Sequence, residues 1–189
     1  MKNMTESSVK EMLSQYQAHF SNEDLSMVHS FVQNHPFDHW FNRKNPQGHM
    51  VASGLVLNGS QLLLIEHPFL QKWIQPGGHV EKTDTGFVEA ALREVKEETD
   101  YDVLTHSWHK LHPYPFDISI HSIPANADKG EEAHTHFDFR FLFTLAPGTW
   151  NNYHQGALPL QWNCLCNFGG TDLALPVAKI LFHEGILTR

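Results

Sequence analysis

Three glutamates on one face of a short predicted helix constrain this sequence more than any other feature. The segment from Val88 to Thr99 has helical periodicity and is rich in good helix formers. Glu94, Glu97 and Glu98 share a face, because residues three and four apart lie one above another on a helix. Arg93, four residues before Glu97, relieves only part of the repulsion between these carboxylates. The pattern therefore predicts a site for a hard divalent cation, which takes carboxylate oxygens as ligands.

A solvated, glutamate-rich helix face is the alternative interpretation, and the residues before the helix help to choose between the two. Gly77 and Gly78 can adopt backbone conformations closed to other residues, and they allow close approach to a ligand. Thr83, Asp84 or Thr85 is expected to cap the helix, whose N-terminus favours anions. A glycine loop that leads into a helix with three carboxylates favours the metal site.

The segment from Gln75 to Tyr101 resembles the Nudix box, Gly-x5-Glu-x7-Arg-Glu-U-x-Glu-Glu-x-Gly-U, where U is an aliphatic residue. Asp84 stands where the family has its first Glu, and one extra residue lies between Asp84 and Arg93. Asp100 replaces the late Gly, and Asp tolerates the left-handed conformation that ends a helix. The insertion is expected to be absorbed within 83–87, which leaves the register of the glutamates unchanged. The matching residues are Gly78, Arg93, Glu94, Val95, Glu97 and Glu98.

This resemblance implies a fold and an activity. The expected fold is an α/β class, Nudix-type α/β/α sandwich with a mixed sheet and an additional N-terminal helical segment. The expected activity is a metal-dependent hydrolase that cleaves a pyrophosphate bond in a nucleoside diphosphate linked to another group, of the nucleotide-sugar or ADP-ribose type or related. The alternative is a Nudix-like module that senses or binds a nucleotide without turnover, which Asp84 and the extra residue favour. The three intact glutamates favour the enzyme.

The resemblance also implies roles for particular residues, with Mg²⁺ or Mn²⁺ as the cofactor. Bound metal would neutralise the pyrophosphate and lower the pKa of a bound water. Either a glutamate of the box or an acid outside it, Glu131 or Glu132, would take the proton of that water. Arg93 is expected to orient a carboxylate of the box. The predicted metal ligands are Glu94, Glu97, Glu98 and the carbonyl of Gly77, and the predicted catalytic residues are Glu97, Glu98 and Arg93.

Charge and composition restrict the partners. The 189-residue chain has a formal net charge of −8 and no basic run, which argues against a nucleic-acid polymer as partner. The first dozen residues are polar, and no run is long enough to cross a membrane, so we expect a cytoplasmic protein with a small nucleotide-type substrate and no membrane association. A homodimer remains open. Cys164 and Cys166 are expected to be buried thiols, because they are too close in sequence for a good disulfide. An isopentenyl-diphosphate isomerase would need a cysteine near the site, and no motif links these two cysteines to it.

The remaining patterns divide the chain into two parts. Residues 1–48 are expected to form a helical extension packed on a Nudix hydrolase domain at 49–189. Asn58 and Gly59 predict a tight turn between two strands. The expected helices are Val9–Phe20, Asn22–Asn34 with Ser21 as N-cap, and Thr171–Glu184 with Thr171 as cap and Gly185 as stop. The expected strands are Met50–Leu57, Gln61–His67, Val103–Trp108, Phe116–His121, His134–Phe143 and Leu158–Leu165.

Two of these strands have one apolar and one polar face. Because side chains alternate along a strand, four phenylalanines from Phe137 to Phe143 share one face, and His134, His136, Asp138 and Arg140 share the other. We hypothesise that the polar face, with Asp117, Ser119 and His121 of the neighbouring strand, borders the cleft above the glutamates. The substrate-binding residues would then be Arg140, His136, Asp138 and His121.

Arg140 is the central residue of this hypothesis, because a guanidinium can bind a phosphate through two hydrogen bonds. The alternatives are a solvated sheet face in which Arg140 pairs with Asp138 or Asp117 at the surface, and a metal held by the pair His134-x-His136.

Overall fold

The computed structural model describes residues 4–127, 130–149 and 158–182, which form one mixed sheet and flanking helices. The eight-stranded sheet has the order β3-β2-β1-β7-β5, with β4 on β1, β6 on β7 and β8 on β2. The strands are β1 His49–Asn58, β2 Gln61–His67, β3 Lys72–Ile74, β4 Gly77–His79, β5 Val103–Thr105, β6 Asp117–Ile123, β7 His134–Leu145 and β8 Leu160–Cys164. The helices are α1 Glu6–His19, α2 Ser26–Asn34, α3 Phe87–Thr99 and α4 Ala174–Phe182.

The sheet is mixed, as expected, because its two central strands run parallel. Strand β1 pairs with β7 in parallel, and the other pairings of named strands are antiparallel. The predicted hairpin is confirmed: Leu57 pairs with Leu62, and Gly59 at the turn has φ 56°. The predicted pair of two-faced strands is also confirmed, since β6 and β7 pair in antiparallel register.

The two faces of β7 have different environments. On one face, the Phe139 ring stacks on Phe87 of α3 at 4.4 Å between ring centroids, and a Cβ on Gly54 would meet the side chain of Val95. Helix α3 therefore covers the phenylalanine face, and all four phenylalanines are buried. Because neighbours along a strand alternate, Arg140 points to the face opposite α3. The polar residues of β7 thus lie across the sheet from the glutamate helix.

The first two helices contribute to the same apolar core as the sheet. The Phe31 ring lies 4.6 Å from that of Phe137, and the Tyr16 hydroxyl accepts a hydrogen bond from the Ile118 amide at 3.1 Å. These contacts agree with a packed N-terminal extension, although the division at residue 48 stays a prediction. The predicted start of α2 is wrong: the helix begins at Ser26, and its N-cap, Leu25, makes no side-chain capping bond.

Helix α3 has the predicted span and C-terminus but not the predicted cap. Gly86 occupies the N-cap position without a side-chain hydrogen bond. Asp84 cannot cap the helix, because its carboxylate accepts hydrogen bonds from the Glu81 amide at 2.8 Å and from Arg93. The helix ends at Thr99, and Asp100 is left-handed with φ 56°, which confirms the expected replacement of glycine by aspartate.

Two later elements are shorter than expected. Strand β5 ends at Thr105 instead of Trp108 and is followed by a 3-10 turn. Helix α4 begins at Ala174, three residues after the predicted cap Thr171, whose hydroxyl accepts a hydrogen bond from the Leu173 amide. The predicted stop at Gly185 lies outside the described residues.

The expectation of two buried thiols is wrong, because Cys164 and Cys166 form a disulfide and Cys166 is exposed. Among the described residues, no helix has the length and apolar character that a membrane crossing requires.

Candidate active site

Strand β4 of the sheet lies directly against the glutamates of α3. The Gly77 amide donates a hydrogen bond to Oε2 of Glu98 at 2.9 Å. A Cβ on Gly78 would lie 2.7 Å from the carboxyl carbon of Glu94, and a Cβ on Gly77 would overlap Ser53. Neither glycine has a positive φ, so their function here is close approach to both neighbours and not an unusual backbone conformation.

Arg93 connects the glutamates to the segment before the helix. Its Nε and Nη2 donate to the two carboxylate oxygens of Asp84 at 3.1 and 3.0 Å, and Nη2 also donates to the His79 carbonyl at 2.8 Å. Its Nη1 donates to Glu94 at 2.9 Å and to Glu97 at 3.1 Å. This geometry agrees with a role for Arg93 in orienting carboxylates of the box. Asp84, at the position of the family's first Glu, anchors the guanidinium.

Two carboxylates of this site, Glu94 and Glu98, have raised pKa values. Burial raises the pKa of Glu98 to about 7, with smaller contributions from the negative charges of Glu94 and Glu97, and against the hydrogen bond from the Gly77 amide. Burial also raises the pKa of Glu94, although Arg93 opposes this effect. Each raised pKa means that the ionised form is destabilised, and a nearby cation would reverse that.

The chemistry of this donor set fits the expected divalent cation. Carboxylate oxygens are the ligands that Mg²⁺ and Mn²⁺ prefer, and a bound cation would stabilise the ionised form that burial disfavours here. Glu97 is the most accessible of the three, with 58% of its side chain exposed. For Gly77 the observed interaction is its amide bond to Glu98, so its carbonyl as a ligand stays a prediction. The acidic set is also larger than predicted, because Glu81 is close enough to raise the pKa of Glu94.

Arg140 does not line an open wall beside the glutamates. It is 3% exposed, and it donates to Asp117 at 3.1 Å and to Asp138 at 3.0 Å. Asp138 also accepts hydrogen bonds from Ser53 at 2.6 Å and from Gln75 at 2.9 Å. Arg140 and Asp138 are thus paired with one another and lie across the sheet from α3, which does not support our expectation that they face substrate; that role stays a prediction. The alternative interpretation, in which Arg140 pairs with Asp138 or Asp117, predicted the right partners, but it placed these ion pairs at the surface and they are buried.

Two of the predicted substrate-binding residues are histidines on the same face as Arg140: His136, four residues before Arg140 on β7, and His121 on β6. His121 pairs with His136 in the strand register, and both side chains are half-buried. Their ring centroids are 5.6 Å apart. Sequence reasoning missed two further histidines that join them, His49 on β1 and His79 on β4. Only the parallel pairing of β1 with β7 brings His49 beside His136, and alternation along the sequence does not reveal that pairing. A role in substrate binding for His121 and His136 stays a prediction.

The two acids outside the box that were considered as proton acceptors lie near the N-terminal end of β7. Glu131 accepts a hydrogen bond from Arg43 at 3.4 Å and forms an isolated β-bridge with Asn126. Glu132 is exposed, and its carbonyl oxygen pairs with the His134 ring. Neither makes a described contact with α3, so the glutamates of the box are the better placed candidates.

Several known proteins are similar to parts of this chain. A protein of Lactococcus lactis subsp. cremoris (strain MG1363), named probable DHNTP pyrophosphohydrolase, is 37% identical over 101 residues, which are 53% of this chain and 57% of that protein. This chain thus spans little more than half the length of that relative. A Nudix-family hydrolase from Clostridium perfringens aligns with 74% of this chain and 97% of its own at 18% identity, with a TM-score of 0.46.

A C. elegans Ap4A hydrolase complex aligns with 70% of this chain and 94% of its own at 18% identity, with a TM-score of 0.47. The NUDIX domain model matches residues 48–152. That match contains β1–β7 and α3, and therefore both the glycines and the glutamates of the site. Because it covers more than half of the chain, this protein belongs to the Nudix family.

Proposed function

We propose that this chain is a metal-dependent hydrolase that cleaves a pyrophosphate bond in a small nucleotide-type substrate. The observation that carries the proposal is the packing of Gly77 and Gly78 directly over Glu94 and Glu98. This packing gathers partly buried carboxylates at the end of a strand, in a chain of a family that generally uses divalent metals. A solvated glutamate face would not need glycines above it.

Each residue has a distinct task in this mechanism. Glu94, Glu97 and Glu98 would hold Mg²⁺ or Mn²⁺, which supplies charge neutralisation for the pyrophosphate and a more acidic water. Arg93 orients Glu94 and Glu97 through its Nη1 and fixes β4 through the His79 carbonyl. Arg93 thus acts through other residues and not on the substrate.

Glu98 is our candidate for the general base. Burial raises its pKa in the metal-free protein, but a bound cation would lower it again, so the assignment rests on the position of Glu98 against β4. The Gly77 amide holds Oε2 of Glu98 at 2.9 Å, so the other oxygen, Oε1, is the one we assign to proton transfer or metal binding.

The first test is metal dependence. We expect chelation followed by dialysis to abolish turnover, and added Mg²⁺ or Mn²⁺ to restore it. Diphosphate-bond cleavage would be followed by product mass on a panel that includes ADP-ribose, nucleotide sugars, dinucleoside polyphosphates, coenzyme A, nucleoside triphosphates and the dihydroneopterin triphosphate suggested by the name of the Lactococcus relative. Full activity in the metal-free protein would contradict the mechanism.

The same panel tests the alternative of a sensing module without turnover. A module would bind one of these compounds, as detected by calorimetry, without releasing product in the presence of Mg²⁺. We favour the enzyme because Glu94, Glu97 and Glu98 are intact, and because the anchor for Arg93 at Asp84 is preserved despite the extra residue in the box. The cytoplasmic location stays a prediction.

A further inference from the structure

Histidines occupy adjacent positions on neighbouring strands of the face opposite α3. In the strand register, His49 of β1 pairs with His136 of β7, and His79 of β4 pairs with Val51, two residues along from His49. Paired residues and residues two apart share a face, so all three imidazoles point to the same side of the sheet. Their rings are in contact, with centroids 4.9 Å apart for His49 and His79 and 4.6 Å apart for His49 and His136.

His49 is the residue that needs an explanation. It is 1% exposed, and neither of its ring nitrogens has a hydrogen-bond partner within the described parts of the chain. A buried polar group without a partner costs about 1–3 kcal/mol. A species that accepts a nitrogen lone pair would satisfy one of the two ring nitrogens, and a metal ion is such a species.

We propose that His49, His79 and His136 form a binding site for a transition-metal ion of the zinc class, separate from the carboxylate site on α3. Each offers one ring nitrogen, and these three atoms lie within 4.8 Å of one another; among the described residues no other group of His, Cys, Asp or Glu is gathered in this way. Tetrahedral zinc with bonds of about 2.1 Å requires nitrogens roughly 3.4 Å apart. Binding would therefore draw these nitrogens together by at most about 1.4 Å.

The chemistry of these ligands selects the class of metal. Burial lowers the pKa of His49 and of His136, which disfavours the imidazolium form that cannot bind a metal. Imidazole suits Zn²⁺, Cu²⁺ and Ni²⁺, whereas Mg²⁺ prefers oxygen. His134 is not one of the three gathered ligands; its Nε2 is hydrogen-bonded to that of His136 at 3.1 Å, and metal binding through that atom of His136 would replace this bond. The positive charge of Arg43 opposes a cation here, but Arg43 is paired with Glu131.

Such an ion would tie β4 to the two central strands of the sheet. His79 is the last residue of β4, and its carbonyl accepts a hydrogen bond from Arg93, while Gly77 at the other end binds Glu98. The metal would thus hold in place the strand that covers the glutamates without touching the substrate. This inference is independent of the proposed activity.

The experiment measures binding in metal-free protein with excess Mg²⁺ present to occupy the carboxylates. Zn²⁺ would be titrated by calorimetry, and Co²⁺ by visible absorption, which distinguishes tetrahedral nitrogen ligation from an octahedral oxygen site. We expect one equivalent of each, with the intense tetrahedral spectrum for Co²⁺. H79A and H136A should each weaken binding by more than the roughly 10- to 100-fold that loss of an outer-shell partner costs.

Two control variants locate the site. H29Q removes a histidine on α2 outside the cluster, and E98Q alters the carboxylate site; both should bind Co²⁺ as the unaltered protein does. Absence of the tetrahedral spectrum in the unaltered protein, unchanged affinity in both H79A and H136A, or loss of binding in E98Q would overturn the proposal. If the two histidine variants do not fold, the stoichiometry and spectrum of the unaltered protein still decide.

Discussion

At the scale of single residues, Glu98 illustrates how the site stores electrostatic strain. It is the glutamate that β4 holds directly, through the Gly77 amide, and burial and its two neighbours raise its pKa to about 7. One hydrogen bond from a backbone amide does not compensate for desolvation and like charge. In the metal-free protein this carboxylate therefore destabilises the fold near neutral pH, and this is the signature of a group placed for binding or catalysis.

Replacing Glu98 by Gln keeps the shape and removes the charge. We expect a rate loss of roughly 10²- to 10⁴-fold at saturating Mg²⁺, the scale of losing a proton-transfer group or a metal ligand. Glu89→Gln is the matched control, because Glu89 lies exposed on the same helix. Steady-state kinetics of the two variants on the true substrate provide the measurement. Equal losses in both would mean that the site is misplaced.

The raised pKa of Glu98 also predicts how stability depends on pH. Since its pKa rises from 4.5 to about 7 on folding, its contribution is fully present below pH 4.5 and is lost as pH rises through 7. Metal-free Glu98→Gln should therefore gain stability over the unaltered protein between pH 5 and pH 8, by about 1–3 kcal/mol. Urea unfolding at the two pH values measures this difference. A difference that is independent of pH would contradict the assigned environment of Glu98.

At the scale of elements, local patterns predicted most of the sheet and the span of α3. The hairpin at Gly59 and the alternation of β7 depend on neighbours in sequence, which a single chain reveals. The cap of α3 was not predictable in this way. Asp84 has the right chemistry for a cap, but Arg93, nine residues away and nearly two turns inside the helix, binds its carboxylate. The contact with Arg93, which forms only on folding, decides whether the Asp84 carboxylate caps the helix or binds the guanidinium.

Strand β4 gives the prediction at this scale. Gly78→Ala places a methyl group against the carboxylate of Glu94, so β4 or Glu94 must shift. We expect the free energy of unfolding to fall by about 1–3 kcal/mol, the usual cost of overpacking. We also expect activity to fall by more than in a variant that is equally destabilised at a position away from the site. Gly169→Ala is the control, since an added Cβ there meets nothing within 4 Å. Thermal unfolding and kinetics of both variants are the measurements.

At the scale of the whole molecule, one buried ionic network connects distant parts of the chain. Lys179 of α4 donates to Asp117 of β6 at 2.8 Å, Asp117 accepts from Arg140 of β7, and Asp138 links Arg140 to Ser53 of β1. The sequence showed which residues share a face of β6 and β7. It could not show that this face is buried, because Lys179 and Ser53 are distant in sequence: Lys179 lies 39 residues after Arg140, and Ser53 lies 85 residues before Asp138.

The network makes Arg140 a stability residue, and Arg140→Ala tests this. Removing the guanidinium leaves Asp117 and Asp138 buried with fewer partners, and breaking a buried ion pair in this way costs about 3–5 kcal/mol. The remaining donors Lys179, Ser53 and Gln75 favour the lower end of that range. The exposed pair of Arg43 and Glu131 offers the control, since Arg43→Ala should cost about 0–1 kcal/mol. Urea unfolding separates the two; a raised KM for Arg140→Ala with unchanged stability would instead restore Arg140 to the substrate site.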